Sequence, residues 1–253
     1  MRLNDQMSES EPAPKHDPPK HRTIDRVTQI LEEVVYHPGM TFAELSRKLD
    51  APKSSVYGFT RGLLASGWLH QDNNRFYIGP ALYGLTLASG HLRAGSVTDS
   101  DLRQLYEAAG ATVFLGVQAG DDLIYVSEAG ADLLPSFGAR TNIRRNLLHS
   151  AGGKALLAAM PAEERDPYLR RRGADEPEFV EEFFLEYDDI IRTRIARNTL
   201  RGGTQFAIAT VVMGSTGRPV AEVTIVGRAA DLLPRVSELA DLLLEHVDSW
   251  HHR

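Results

Sequence analysis

Between His21 and Gly79 the apolar positions recur at helical spacing three times and then alternate. Val27, Ile30, Leu31, Val34 and Val35 fall at i, i+3, i+4, i+7 and i+8, which predicts a first helix with these five on its core face. Pro38-Gly39 breaks that pattern. Thr41-Phe42-Ala43-Glu44 has the form of a Thr-x-x-Glu capping box, opening a second helix whose buried stripe is Phe42, Leu45 and Leu49. After the turn Asp50-Ala51-Pro52, Val56, Phe59, Leu63 and Leu64 predict a third helix over 53–66, with Gly67 as its stop. Trp68-Leu69-His70 and Arg75-Phe76-Tyr77-Ile78 read as two strands about the polar turn 71–74.

The remainder has a different rhythm. Residues 80–95 predict a linker helix carrying Leu82, Leu85 and Leu87. Beyond it the pattern predicts a helix over 102–109, strands over 111–118 and 122–127, and a strand or loop over 133–141. Then come a helix opening at His149-Ser150, a polar helix over 163–172 and a longer one over 178–197. Strongly β-like runs at 205–213 and 219–226 precede a closing amphipathic helix over 232–247. This mixed order with hairpin-like neighbours predicts an α+β domain built on an antiparallel sheet.

Three short helices and a hairpin are the winged helix-turn-helix order, which lays the third helix across a DNA major groove. The candidate DNA-contacting residues are Lys53, Ser54, Ser55, Tyr57 and Arg61 on that helix, Arg75 on the wing, and Thr41 and Arg22 beside them. Phosphate contacts would set position, and base contacts would set sequence. The same unit could instead serve as a protein-interaction module, with Tyr57 packed on a neighbour.

Charge sharpens the division. The net charge of −6 argues mildly against a nucleic-acid binder, but residues 20–95 hold 9 Lys/Arg against 6 Asp/Glu, and residues 96–253 hold 17 against 24. A basic block joined to an acidic one implies two domains with different partners. Residues 1–20, rich in proline and charge, predict a disordered tail. With zero cysteines, disulfides, thiolate chemistry and Cys-ligated metals are excluded. No apolar run reaches the roughly 18 residues of a membrane span, and the N-terminus has no apolar signal-peptide core, so the expectation is a cytoplasmic protein with no membrane partner.

Chemistry in the second block centres on Ser150. A helix starting there offers backbone N–H groups at Ala151, Gly152 and Gly153 to an anion, helped by the helix dipole. Arg140, Arg144 and Arg145 precede it, and Phe114, Tyr125, Phe137 and Phe206 are candidate aromatic walls. Together they point to a small, acidic and partly apolar ligand. The alternative is that Ser150 only caps its helix and the arginines form a solvated loop. Gly152-Gly153-Lys154-Ala155 lacks the first Gly and the Ser/Thr of a P-loop, and no Gly-x-Ser-x-Gly or His-Glu-x-x-His occurs. Glu181-Glu182 and Asp188-Asp189 read as exposed helix charges, and His251-His252 as a frayed tail. No catalysis, cofactor or metal is expected.

The chain resembles the IclR family of transcriptional regulators. The resemblance is carried by 24–27 (IDRV), 52–57 (PKSSVY), 63–69 (LLASGWL) and 77–79 (YIG), then by 149–158 (HSAGGKALLA) and 206–212 (FAIATVV), and spans residues 22–247. It implies a winged helix-turn-helix over 21–79, a linker helix over 80–95, and a GAF-like effector-binding and oligomerisation domain over 96–253. It further implies double-stranded operator DNA, a small organic or aromatic acid, and a second copy of the chain as partners, in a dimer or tetramer. The sequence departs from the family at Gly58, where an Arg is usual, and at Val211, where a Pro is usual. Gly58 sustains an alternative: a ligand-sensing or interaction protein with weak or lost DNA binding.

Overall fold

The computed structural model describes residues 21–89, 97–130 and 144–250. The predicted tail at 1–20, the segment 133–141 and His251-His252 lie outside the described residues, as does the end of the predicted linker helix after Ser89. The chain divides into two compact units, with the division between Thr86 and Leu87.

In the N-terminal unit, α1 runs Arg22–Tyr36, α2 Phe42–Lys48 and α3 Lys53–Ala65. Ile30 and Val34 of α1, Leu45 of α2, and Val56 and Leu63 of α3 meet in one core with Leu69 and Phe76. Val35 departs from the expected core face and is 42% exposed, because it lies about 100° round the helix from Val34. The capping box at α2 is formed in both directions: Glu44 N donates to Thr41 Oγ1 (3.3 Å) and Thr41 N donates to Glu44 Oε2 (2.8 Å). Helix α3 stops at Gly67, whose φ of +74° is in the left-handed region. There the Trp68 N–H returns to Leu63 O and the Gly67 N–H to Leu64 O, a Schellman closure.

The wing is β2 (Leu69–Asp72) and β3 (Arg75–Ile78), joined by Asn73 and Asn74 with φ of 49° and 60°. Two consecutive left-handed residues make the primed turn that suits a hairpin's twist. A two-residue strand, β1 (Met40–Thr41), joins the sheet on the free side of β3, giving the order β1-β3-β2. It is too short to leave a period in the sequence. Helix α4 spans Pro80–Ser89.

The C-terminal unit is built on a six-stranded sheet, each neighbouring pair antiparallel, in the order β6-β5-β4-β9-β8-β7. Its strands are β4 (Thr112–Ala119), β5 (Asp122–Ala129), β6 (Arg144–Asn146), β7 (Ala196–Leu200), β8 (Gln205–Met213) and β9 (Pro219–Arg228). Helices α5 (Asp99–Ala109) and α10 (Val236–Trp250) cover one face. Helices α6 (Ala151–Ala159), α7 (Ala162–Asp175) and α8 (Pro177–Thr193) cover the other. The central strands are therefore buried on both sides and read as continuous apolar runs. Side chains still alternate: Phe206 and Ile208 of β8 join the α5/α10 core, while Ala207 and Ala209 join the α6/α8 core.

Two helix limits differ from the sequence reading. Helix α8 ends at Thr193 because Arg194 turns left-handed (φ 60°) and returns its N–H to Ile190 O. Residues 196–197, expected as the end of that helix, instead open the edge strand β7 over 196–200, whose Arg-Asn-Thr content has little β signature. The closing helix is also divided: α9 (Ala229–Leu232), a 3-10 turn (Leu233–Arg235) and then α10. Pro234 lacks the N–H that a continuous helix would use.

Candidate functional site

The outward face of α3 presents Lys53, Ser54, Ser55, Tyr57, Gly58 and Arg61, all exposed. Pro52 stands at the N-cap of α3 and supplies no capping side chain to its first-turn N–H groups. Tyr57 stands 54% exposed and is braced edge-on by Phe42, with ring centroids 6.2 Å apart. Arg61 Nη1 donates to Tyr57 Oη at 3.3 Å, and its guanidinium carbon lies 5.9 Å from the ring centroid. One helical turn thus presents an aromatic hydroxyl and a guanidinium as a linked pair. Around Gly58 and Gly62 nothing lies within 4 Å of where a Cβ would be.

The flanking candidates have other engagements. Thr41 Oγ1 both accepts from Glu44 N and donates to Glu44 Oε2 at 2.8 Å, so its hydroxyl is taken up by the cap. The Thr41 hydrogen bonds also hold the Glu44 carboxyl below its ordinary pKa. Arg75 opens β3 directly after the wing turn, opposite Asp72, and its Nη1 donates to Gly39 O at 2.7 Å. With Arg47, Lys48 and His37 it lines a shallow groove of about 410 Å³ that also contains Glu44. Arg22 is exposed at the start of α1.

In the C-terminal unit a cavity of about 430 Å³ opens between β5, β6, the start of α6 and the β7–β8 turn. Tyr125, Ser150 and Ala151 line it, as do Arg144, Arg145 and Arg201. Three arginines around one cavity, two from β6 and one from the β7–β8 turn, set a positive field. Part of it is balanced locally, with Arg144 Nη1 3.6 Å from Asp122 Oδ2.

A polar scaffold shapes the mouth. Asn146 Oδ1 accepts from Leu148 N (2.9 Å) and from Tyr168 Oη (3.2 Å), while Asn146 Nδ2 donates to Glu176 Oε2 (3.0 Å). The His149 ring stacks on Phe179 at 4.0 Å, and Asn198 Nδ2 donates to the His149 carbonyl at 2.7 Å. Burial, the first cause, pushes the Tyr168 phenol up to about 12.

Ser150 is the N-cap of α6 and accepts from Gly153 N at 3.1 Å. The two glycines do not line the cavity. A Cβ on Gly152 would lie 2.3 Å from the Glu222 carboxyl carbon, and one on Gly153 would lie 2.2 Å from Leu147 O. They are the contacts through which α6 seats on the sheet and on the preceding turn, which corrects the expectation that they admit a ligand to the backbone.

The aromatic walls need a similar correction. Of the three described, Phe114, Tyr125 and Phe206, only Tyr125 lines the cavity. Phe114 is buried against Tyr125, with ring centroids 4.9 Å apart, and Phe206 points to the opposite face of the sheet, as its place between Gln205 and Ala207 requires. Arg140 and Phe137 lie outside the described residues.

The structure adds Asn146, Gln205, Thr224 and Glu222. Gln205 and Thr224 line the cavity and are nearly inaccessible, as is Glu222 beside it. A signal for two of them stands in the sequence: β9 reads Val-Ala-Glu-Val-Thr-Ile-Val, placing polar groups two apart in a strand buried on both faces. Thr224 Oγ1 is 2.6 Å from Glu222 Oε2, and Glu222 Oε1 has no hydrogen-bond partner among the described residues. Burial drives the Glu222 carboxyl up to about 8, against the opposing hydrogen bond from Thr224. Burial and the Glu222 charge push the Tyr125 phenol upward as well.

Glu182 is exposed on α8, as expected of a helix charge, and with Glu186 it also pairs with the buried Lys154. Among the described residues no cluster of His, Asp or Glu could hold a metal ion, and no helix is long and apolar enough to cross a membrane.

Comparison with known proteins agrees with both units. Residues 23–73 match the IclR helix-turn-helix domain. The HTH-type transcriptional regulator BhcR of Paracoccus denitrificans is 30% identical over 144 residues, 54% of this chain and 50% of that protein, so the chain matches about half the length of this relative. The HTH-type transcriptional repressor AllR of Klebsiella pneumoniae is 24% identical over 223 residues, covering 84% of this chain and 82% of that one. Among solved structures, an IclR homolog of Microbacterium hydrocarbonoxydans complexed with 4-hydroxybenzoate superposes with a TM-score of 0.72 at 18% identity, over 90% of this chain and 97% of that one. The Thermotoga maritima IclR does so with a TM-score of 0.66 at 20% identity, over 90% and 97%. These last two likenesses establish the fold.

Proposed function

We propose that the chain is a transcriptional regulator of the IclR type that reads operator DNA with α3 and takes a small carboxylate into the cavity at the start of α6. The observation that carries the DNA reading is the exposed Tyr57–Arg61 pair, held on the helix that the winged helix-turn-helix order puts in the major groove. Arg61 supplies a fork of donors suited to guanine or phosphate, and Ser54 and Ser55 supply short hydroxyls near the helix start.

Three arginines, the capped start of α6 and the ring of Tyr125 favour an anionic ligand with an apolar body. The 4-hydroxybenzoate of the Microbacterium structure is an acid of that kind. The protein acts in this reading as a dimer or tetramer, in the cytoplasm with the chromosome, on half-sites one or more helical turns apart. Ligand binding shifts the equilibrium between assemblies that fit and do not fit that spacing.

The test is a mobility shift with DNA flanking the protein's own gene, at stated salt and with unrelated DNA as competitor. Saturable binding that survives the competitor, and changes on adding 4-hydroxybenzoate or another small acid, is the expected result. Binding lost equally to any DNA would overturn operator reading and favour the sensor alternative raised by Gly58.

A further inference from the structure

Glu222 occupies a place made for it. It stands on β9 at the centre of the sheet with no exposed surface. Two positions that border its carboxyl, on different elements, are glycine. A Cβ on Gly116 of β4 would lie 2.3 Å from Oε1, and a Cβ on Gly152 of α6 would lie 2.3 Å from the carboxyl carbon. A carboxyl enclosed in this way has one described outlet, the 2.6 Å hydrogen bond between its Oε2 and Thr224 Oγ1. Thr224 in turn forms part of the cavity wall.

We propose that Glu222 is a positioning residue for the cavity's ligand: its proton sets the direction of the Thr224 hydroxyl and so decides whether the wall offers a donor to a carboxylate. This rests on the reading of the cavity as an acid-binding site. With Glu222 ionised, Thr224 donates its proton to the carboxylate, and the cavity meets only hydroxyl lone pairs above a buried negative charge. With Glu222 protonated, the acid O–H donates to Thr224 Oγ1, and the Thr224 proton is released toward the cavity. A carboxylate ligand then gains a donor and loses a repulsion. No bond to carbon changes; below about pH 8 the proton is already on Glu222, and above it one proton is taken from solvent as the ligand enters.

The surroundings favour this assignment. From β5, Tyr125 faces the carboxyl and feels its charge; Arg145 of β6 acts on the same phenol. Beside Glu222, β8 presents Val211 and β4 presents Gly116. Above it α6 presents Gly152, while Lys154 of that helix is turned to Glu182 and Glu186 of α8. No described cation forms an ion pair with Glu222, and burial holds the acid protonated to about pH 8.

The experiment measures binding of benzoate and of succinate to the full chain by calorimetry at about pH 6.5 and about pH 9. Where binding needs the protonated acid, affinity falls about tenfold per pH unit above the pKa, so a loss of roughly tenfold is expected at the higher pH. In Glu222→Gln the amide stays neutral and donates to Thr224 at every pH, and the loss should vanish. In Thr224→Val the donor is gone, and binding should weaken at both pH values. Wild-type affinity equal at both pH values, or a loss at pH 9 that persists in Glu222→Gln, overturns the role of Glu222. Failure of either acid to bind the wild type at pH 6.5 overturns the acid-binding reading itself, and this inference with it.

Discussion

The Nζ of Lys154 lies 2.7 Å from Glu182 Oε1, joining a side chain that is 1% exposed on α6 to one that is about half exposed on α8. Glu186 Oε2 completes the group at 3.0 Å. The lysine is surrounded by protein and the glutamates are not, so the two sides of this bridge are not equivalent. Removing the acids strands a buried ammonium, whereas removing the ammonium leaves two carboxylates that water can reach.

The expected consequence is an asymmetry in stability. Glu182→Gln with Glu186→Gln should destabilise the C-terminal unit by roughly 2–4 kcal/mol. Lys154→Met, which keeps the buried stem and drops the charge, should change stability by less than about 1.5 kcal/mol. Urea unfolding of the three proteins checks this, and equal losses from both sides would contradict it.

Glu222 makes stability depend on pH in the opposite sense to an ordinary salt-bridged acid. Its pKa rises from an ordinary 4.5 to about 8 on folding, so the native state holds a proton that the unfolded chain has released. Stability from this group is complete below the unfolded pKa and is lost as pH rises through the folded one. At about 1.4 kcal/mol per pKa unit the loss by pH 8 is on the order of several kcal/mol. Glu222→Gln should therefore be more stable than the wild type, by a margin that grows between pH 5 and 8 and then levels. Thermal unfolding across that range measures it.

The sequence made the N-terminal unit readable because its signals are local. The Thr41–Glu44 box, the Gly67 stop and the i, i+4 link from Tyr57 to Arg61 all operate within a few residues, and each is present in the structure. The cavity is assembled from β5, β6, α6, β8 and β9, which are distant in sequence, so its lining depends on register and strand parity. That is why Phe206 read as a wall although its neighbours Gln205 and Ala207 are the residues that line the space. Gly152 misled for a related reason. A glycine at a helix start suggests room for a ligand, but Glu222, some seventy residues later in the chain, fills that room.

A substitution at Gly58 should let stability and operator affinity be measured apart. It is exposed in the middle of α3, and a Cβ there would meet nothing within 4 Å. Alanine relieves the entropic penalty of a helical glycine, so Gly58→Ala should stabilise the N-terminal unit by about 0.5–1 kcal/mol. If the groove floor approaches the backbone at this position, the same change should weaken operator affinity despite the firmer fold. Melting temperature and mobility shift on one variant distinguish these effects; a rise in both stability and affinity would show that Gly58 marks no close approach.

Arg61 should carry DNA affinity without carrying the fold. Its described bond is to an exposed phenol on the same helix, so Arg61→Ala should alter stability by less than about 0.5 kcal/mol. Its effect on binding depends on what the guanidinium reaches. A bidentate base contact predicts a loss of about 1–3 kcal/mol on the operator, confined to one base position. A phosphate contact predicts uniform weakening on all sequences and a salt slope reduced by about one. Tyr57→Phe removes the hydroxyl that accepts from Arg61 and keeps the ring braced by Phe42, so it reports the value of the bond that orients the guanidinium. A titration of both variants over a salt series, on operator and scrambled DNA, distinguishes the two contacts. Unchanged operator affinity in Arg61→Ala would remove this residue from the interface.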